Sequence, residues 1–256
     1  MRITVITVSY NSDRTIVETL KSVKNQTYNN IEHIIIDGQS KDKTLEIVNS
    51  FEHVSKVISE KDNGIYDAMN KGIKNSTGQI IGILNSDDIF YDNEIIENIA
   101  NEFNLNPEIQ MIYGDIVFFK NSEGNIIRYW KTKPYFEGFF ENGYSIPHPS
   151  MFVRSSVYKE VGMYEPNYQI SSDIDFMIRA LKTYSISSKY LPCVIVKMRY
   201  GGRSTKDLSN ILLGNSEILN VFKKNNLKAS RFFFLKKFYF KIRQFFITKN
   251  LNRPTI

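Results

Sequence analysis

Runs of branched apolar residues recur through the first third of the chain. Ile3–Ser9 clusters β-branched residues, Ile31–Asp37 is nearly continuous isoleucine, and residues 79–84 repeat the pattern. Runs without alternation are typical of strands covered on both faces, so all three read as parallel strands. Helical patterns lie between them, over residues 13–25, 41–52 and 65–76. The first two open on capping residues, Ser12 or Asp13 and Ser40 or Asp42. Strand and helix in alternation imply right-handed crossovers and an open sheet.

The order then changes. Residues 111–120 and 126–131 flank the turn-rich link Asn121-Ser122-Glu123-Gly124-Asn125 and read as a hairpin. Residues 155–161, 173–183 and 207–224 carry helical patterns, and 189–199 is extended. The predicted fold class is α/β, an open mixed sheet that is mainly parallel in its N-terminal half, with helices on both faces. There is no internal repeat and no low-complexity linker.

Composition narrows this picture without redirecting it. At 256 residues, 42% hydrophobic and 23% charged, the chain has the usage of one substantial globular domain with room for an appendage. A single cysteine, Cys193, excludes an internal disulfide framework and a multi-cysteine zinc site, and points to the cytoplasm. The apolar run at the N-terminus is too short for a signal peptide, and no uninterrupted apolar stretch of about 18 residues is present to span a bilayer. The formal charge of +6 is unevenly placed: ten Lys and Arg residues follow Glu217 with no acidic residue among them, and setting those ten aside leaves −4. The basic character belongs to the tail, and the acidic remainder argues against a broad nucleic-acid surface.

In open α/β sheets ligands sit beyond the carboxyl ends of the strands. Here those positions are Tyr10-Asn11, Asp37-Gly38 and Asn85-Ser86-Asp87-Asp88. Adjacent carboxylates at a strand end repel unless a cation or hydrogen-bond donors compensate, and a hard divalent ion bridging diphosphate oxygens would do so. The alternative for Asp87-Asp88 is a solvated turn that caps the helix near Asp92. For Asp37-Gly38-Gln39-Ser40 the readings are a carboxylate accepting from a nucleotide base beside a glycine that permits close approach, or a turn leading into a helix cap.

Five ordered blocks together resemble the family 2 glycosyltransferases of the GT-A fold, especially bacterial O-antigen and capsule enzymes. The blocks are residues 4–11 (TVITVSYN), 37–44 (DGQSKDKT), 62–72 (DNGIYDAMNKG), 85–88 (NSDD) and 171–176 (SSDIDF), and the resemblance covers about residues 2–205. The resemblance implies an inverting enzyme that moves a sugar from a nucleotide-diphosphate donor, UDP by family frequency, with a divalent metal, Mn²⁺ or Mg²⁺. By it, Thr7, Ser9, Tyr10 and Asn11 line the base pocket and Asp37 contacts the base. Asp87 lies near ribose or diphosphate, Asp88 is the metal ligand, and Asn63, Asn85 and Ser86 complete the donor side. Asp173 is the general base that deprotonates the acceptor hydroxyl; its usual Glu neighbour is Ser172 here. Many relatives carry Arg where this chain has Met69, and Lys71 is the candidate to supply that charge. Tyr200-Gly201-Gly202-Arg203-Ser204 matches a Gly-Gly-x-Ser segment, with Arg203 on a phosphate or in a plain turn. His148 is either structural or a contact for acceptor or metal. Asp175 and Arg179 have the spacing of a helix-surface ion pair.

The expected organisation is a catalytic domain over 1–205 and a helical extension over 206–256. Within the extension, residues 229–248 place Phe234, Leu235, Phe238, Ile242, Phe245 and Phe246 on one helical face, opposite Lys237, Lys241, Gln244 and Thr248. Basic and aromatic residues so mixed suit a helix lying on anionic lipid, and a helix docked on the domain is the alternative. The first expectation makes the protein peripheral on the inner face of the cell membrane, beside a polyprenyl-linked saccharide acceptor of the kind that resembling enzymes use. Competing functions are a nucleotidyltransferase, although no Gly-rich, Lys-bearing phosphate loop is present, and a membrane-binding protein without catalysis.

Overall fold

Strand β1 (Ile3–Ser9) is buried along its whole length because it lies inside the sheet with helices over both faces. In the computed structural model, which describes residues 1–120, 125–201 and 208–251, the elements follow as α1 (Ile16–Lys24), β2 (Ile31–Asp37), α2 (Thr44–Asn49), β3 (Val54–Ser59), α3 (Ile65–Asn75), β4 (Ile80–Ile83), β5 (Ile89–Phe90) and α4 (Ile95–Leu105). The second half contains β6 (Met111–Phe119), β7 (Ile126–Trp130), β8 (Phe152–Arg154), α5 (Ser155–Val161), α6 (Ser172–Ile178), β9 (Ser188–Arg199), α7 (Leu208–Lys224) and α8 (Phe233–Leu251).

The sheet order is β3-β2-β1-β4-β8-β6-β9-β5, with β7 paired to β6. Strands β1 to β4 are parallel to one another. Beyond them β8 runs antiparallel to both β4 and β6, β9 runs parallel to β6, and β7 antiparallel to it. The mixed second half and the β6–β7 hairpin pairing are as the sequence predicts. On one face α1, α2 and α4 cover Ile3, Val5 and Ile35; on the other α3, α5, α6 and α7 cover Ile6, Val8 and Val153.

Three strands escape the hydrophobic pattern. β3 forms the sheet edge, and its exposed Ser55, Lys56 and Ser59 hide any apolar run. β5 and β8 have two and three residues, too few to display a period. The predicted helix over 173–183 is α6 followed by a wider π turn over residues 179–183.

The expected side-chain caps are a correction. Helix α1 starts after Thr15 and α2 after Lys43, neither with a side-chain cap. Ser12 acts through its carbonyl, which accepts from the Thr15 and Ile16 amides, and Asp42 forms a turn one residue early by accepting from the Thr44 amide at 3.0 Å.

Candidate active site

Parallel register brings the strand ends to one edge: Ser9 pairs with Asp37, and Asp37 with Ser59. Both Asp37 oxygens are fully engaged inside the protein. The Ser9 and Ser40 hydroxyls donate to one at 3.2 and 2.5 Å, and the Ser40 amide and Ser59 hydroxyl to the other at 2.9 and 2.8 Å. Asp37 therefore organises the turn after β2. The loops after β1 and β2 are cross-tied, the Asn11 amide donating to Ser40 Oγ and the Lys41 amide to Asn11 Oδ1, each at 2.8 Å. Asn11 and Gln39 adopt positive φ, 50° and 67°, a conformation that asparagine tolerates and that concentrates at functional loops. A Cβ at Gly38 would lie 2.5 Å from an Asp62 carboxylate oxygen, so a side chain there would make that carboxylate move. Tyr10 stands at this edge with its ring 62% exposed.

Thr7 is not brought to this edge. It is fully buried, with its hydroxyl 3.0 Å from His33 Nε2, so it supports the floor from within the sheet.

At the end of β4 the Leu84 amide still pairs with Ile6, so Asn85 to Asp88 emerge beside β1. Ser86 Oγ lies 2.8 Å from Ser12 Oγ. Asp88 is buried; Asn85 Nδ2 donates to one of its oxygens at 3.0 Å and the Arg199 amide to the other at 3.3 Å. Burial first, then the neighbouring Asp87 charge, pushes the Asp88 carboxyl well above its ordinary range; burial raises Asp87 too, against the pull of Arg199. Asn85 Oδ1 is buried beside them with no hydrogen-bond partner. Two carboxylates that resist ionisation and one orphaned amide oxygen form an all-oxygen donor set that fits a hard divalent cation, which takes few protein carboxylates and completes its shell with water and phosphate. Among the described residues no group of three or more His, Cys, Asp or Glu side chains assembles.

Asp173 lies in the first turn of α6. Its Oδ1 accepts from the Tyr66 hydroxyl at 3.2 Å and the Ile174 amide at 2.9 Å. Burial raises its carboxyl to about 6; the Ile174 amide, the Tyr66 hydroxyl and the Lys237 charge partly offset the rise. The single Tyr66 proton is shared with the Ile170 carbonyl, the nearer acceptor at 2.6 Å, and burial and Asp173 push the tyrosine's own ionisation well up, so it remains a donor. A polar cleft of about 370 Å³ opens beside this pair, lined by Asn63, Gly64, Ile65, Tyr66 and residues 166–169.

The segment that carries Asp173 is held from a distance. Glu217 of α7, buried, accepts from the amides of Gln169, Ile170 and Ser171 at 2.8, 2.9 and 2.9 Å. Neither Tyr66 nor Glu217 stands out in the sequence, because each acts through a contact across about 50 to 100 residues; Tyr66 lies inside a recognisable block, while Glu217 has no local signal at all. Asp175 pairs with Arg179 at 2.8 Å at the predicted spacing, but the pair is not on the helix surface: Asp175 is fully buried.

Two expected contacts are placed elsewhere. Lys71 bonds Glu60 at 3.0 Å, Asp67 at 3.5 Å and the Lys61 carbonyl at 2.8 Å, so its charge serves its own loop rather than replacing an arginine at Met69. His148 is buried with Nε2 2.8 Å from the Tyr164 hydroxyl, and burial lowers it to about 4, which keeps the ring neutral. It stands behind Tyr164, whose ring lies 5.8 Å from that of Tyr66. Arg203 lies outside the described residues.

Polar strand ends, an oxygen-rich acidic turn and a half-buried carboxylate on α6 set the site beside the family to which the chain is similar. The description Glycosyl transferase family 2 fits residues 4–161. This chain belongs to glycosyltransferase family 2. It is a glycosyltransferase of GT-A architecture, and membership sets aside the nucleotidyltransferase and the non-catalytic reading. A Mycobacterium bovis relative called a PGL/p-HBAD biosynthesis glycosyltransferase is 27% identical over 191 residues, 72% of each chain. The fold is similar to that of S. aureus TarS 1–349 in complex with UDP-GlcNAc, with a TM-score of 0.69 at 17% identity over 92% of this chain and 69% of that one. The longer TarS structure extends well past the likeness, and this chain spans 40% of it. The mannosyltransferase PcManGT of Pyrobaculum calidifontis, in complex with GDP-Man and Mn²⁺, is similar with a TM-score of 0.64 at 15% identity, over 93% of this chain and 69% of that one. Asp173 lies beyond the residues that the family description matches.

Proposed function

We propose that the protein is an inverting glycosyltransferase that moves a sugar from a UDP-sugar to a hydroxyl of a lipid-linked saccharide during surface polysaccharide assembly. The observation that carries this reading is the half-buried Asp173 carboxylate, raised to about 6 and bonded to Tyr66, which lines the polar cleft. A carboxylate poised near working pH is suited to general-base work. In the proposed step an acceptor oxygen forms its bond to the anomeric carbon as the bond to the diphosphate breaks. The acceptor proton passes to Asp173, the leaving diphosphate keeps the electron pair, and the anomeric configuration inverts.

On the donor side, Tyr10 offers a ring face to the base, with Ser9, Asn11 and Asp37 shaping the pocket. A base contact to Asp37 requires the longer Ser9 bond to give way. Asn63, Ser86 and Asp87 face ribose and diphosphate, Asp88 with Asn85 Oδ1 holds the divalent ion, and Arg203 adds charge for phosphate. When bound, the ion neutralises charge on the departing diphosphate. UDP and a metal are supported by the TarS complex with UDP-GlcNAc and the PcManGT complex with Mn²⁺, both at the level of a shared fold.

Residues 1–205 form the catalytic domain in this reading, and 206–256 the extension. No described helix is long and apolar enough to cross a membrane. We place the protein on the inner membrane surface through α8, whose Leu235, Phe238 and Phe246 side chains are each more than 60% exposed.

Donor hydrolysis screened across nucleotide sugars with Mn²⁺ or Mg²⁺ tests the reading. UDP-sugars are expected to be cleaved in the presence of metal. Asp88→Ala loses metal-dependent donor binding and Asp173→Ala retains it, while both lose transfer. Normal transfer by either variant removes that residue from its role.

A further inference from the structure

Helix α8 is turned opposite to an ordinary surface helix. Phe233, Lys237, Phe240 and Gln244, spaced four, three and four apart, face inward, and the apolar stripe from Phe234 to Phe246 faces out. The inner stripe is anchored at both ends. Phe233 packs on Phe222 of α7 with ring centroids 5.2 Å apart, and Gln244 Oε1 accepts from Arg128 Nε of β7 at 2.6 Å. Near the middle, Gly143 brings its own backbone close to the helix. It has φ +83°, and a Cβ there would meet the Lys237 amide and Phe233 carbonyl, both at 3.2 Å.

A cleft of about 380 Å³ runs beside this contact, lined by Phe136, Asn142, Tyr144, Lys236, Tyr239 and Phe240. It falls within the ~300–1,000 Å³ range of small-molecule sites. Its floor is aromatic, with Tyr144 and Phe240 stacked at 4.4 Å, while Phe136 and Tyr239 remain exposed at its sides. Lys236 is the one charged residue among those that line it, and Lys133 stands close by. Lys133 Nζ stands 4.6 Å over the Tyr144 ring and Lys236 Nζ donates to Asn142 Oδ1 at 2.6 Å. Neither lysine has a carboxylate partner among the described residues, and the adjacent Glu137 and Glu141 are both tied to Lys182. The cleft thus pairs an apolar floor with cations free to meet an anion.

The next residue on the helix connects the cleft to the chemistry. Lys237 turns inward, donates to Asn215 Oδ1 at 3.0 Å, and acts electrostatically on Asp173. Successive helical residues point about 100° apart, so Lys236 is turned to the cleft while Lys237, on the same turn of α8, is turned inward.

We propose that the cleft between residues 136–144 and α8 binds the apolar stem and phosphate of a lipid-phosphate-linked acceptor. The chain lies on Tyr144, Tyr239 and Phe240, and Lys236 and Lys133 hold the phosphate. Lys237 marks the way to Asp173. The inference rests on the reading of Asp173 as the base for a lipid-linked acceptor, and it makes α8 half of the acceptor site as well as a membrane contact.

The test is equilibrium binding to the full chain of monomeric farnesyl phosphate, farnesol and inorganic phosphate, with UDP binding measured in parallel and unfolding followed for each variant. Farnesyl phosphate is expected to bind about ten-fold or more tightly than farnesol, the effect of a charge-assisted contact, and inorganic phosphate not measurably. Lys236→Glu is expected to weaken farnesyl phosphate about ten-fold with little change for farnesol, and Tyr239→Ala to weaken both. Should one variant fail to fold, the other carries the comparison. Equal binding of farnesyl phosphate by wild type and variants, or binding to anionic vesicles without binding to monomeric farnesyl phosphate, overturns the proposal. Loss of the lipid result with UDP binding intact sinks this inference alone; a wild-type protein that binds no UDP sinks the reading beneath it.

Discussion

Asp173 is kept near neutrality by burial and kept usable by its donors. The working base is the ionised form, so with a carboxyl raised to about 6 the rate is expected to climb as pH rises through that value and to level off above it. Tyr66 donates to Asp173 Oδ1 and so favours the carboxylate. Tyr66→Phe should therefore move the acidic limb of the kcat/KM profile to higher pH by about one unit for one lost hydrogen bond, a rate loss of roughly two-fold at neutrality that grows to about ten-fold below the limb. An unmoved limb would separate Tyr66 from the base. Sequence blocks single out Asp173 itself, but its ionisation comes from what surrounds it. Asp88 shows the same division. Its acidity motif is visible in the chain, whereas the orphaned Asn85 oxygen that makes the turn fit a cation appears only once the loop is folded.

Helix α7 works as a brace. Its Glu217 gathers three consecutive amides from the segment ahead of α6, while Ile218, Val221 and Phe222 on the same helix enter the main core. Glu217→Ala leaves those buried amides without their acceptor, and about 3 kcal/mol of stability is expected to be lost in urea unfolding. Transfer should fall further than stability, because Asp173 lies two residues beyond the last braced amide. Rates that fall no further than the folded fraction would make Glu217 structural only. At this scale the parallel strands β1 and β2 and helix α5 are legible from pattern, since each has a continuous local signal. β3, β5 and β8 are not, because an exposed edge or a length of two or three residues carries none. The inward turn of α7 and α8 depends on partners far along the chain.

For the whole molecule the decisive feature is polarity: the proposed donor edge along the ends of β1, β2 and β4, the proposed base on α6, and an exposed aromatic surface on α8. Phe238→Glu with Phe246→Glu changes two outward side chains and should abolish co-sedimentation with anionic vesicles, leaving the unfolding midpoint within about 0.5 kcal/mol, as expected of surface changes. Wild-type binding should weaken with salt as the lysine contribution is screened. Retained sedimentation by the double variant would exclude this face as the membrane contact. The two alternatives for the tail are thus compatible, since α8 is docked through a mixed stripe of Phe233, Lys237, Phe240 and Gln244 and displays an apolar one. By itself the sequence determined the fold class, the family and the order of its acidic blocks, because local periodicity and short contiguous motifs encode those. Only the tertiary structure decided that Thr7 and His148 lie behind the site, that Lys71 serves its own loop, and that α8 presents aromatic residues outward. Burial and pairing between distant segments are set when the sheet closes, and no local stretch of chain records them.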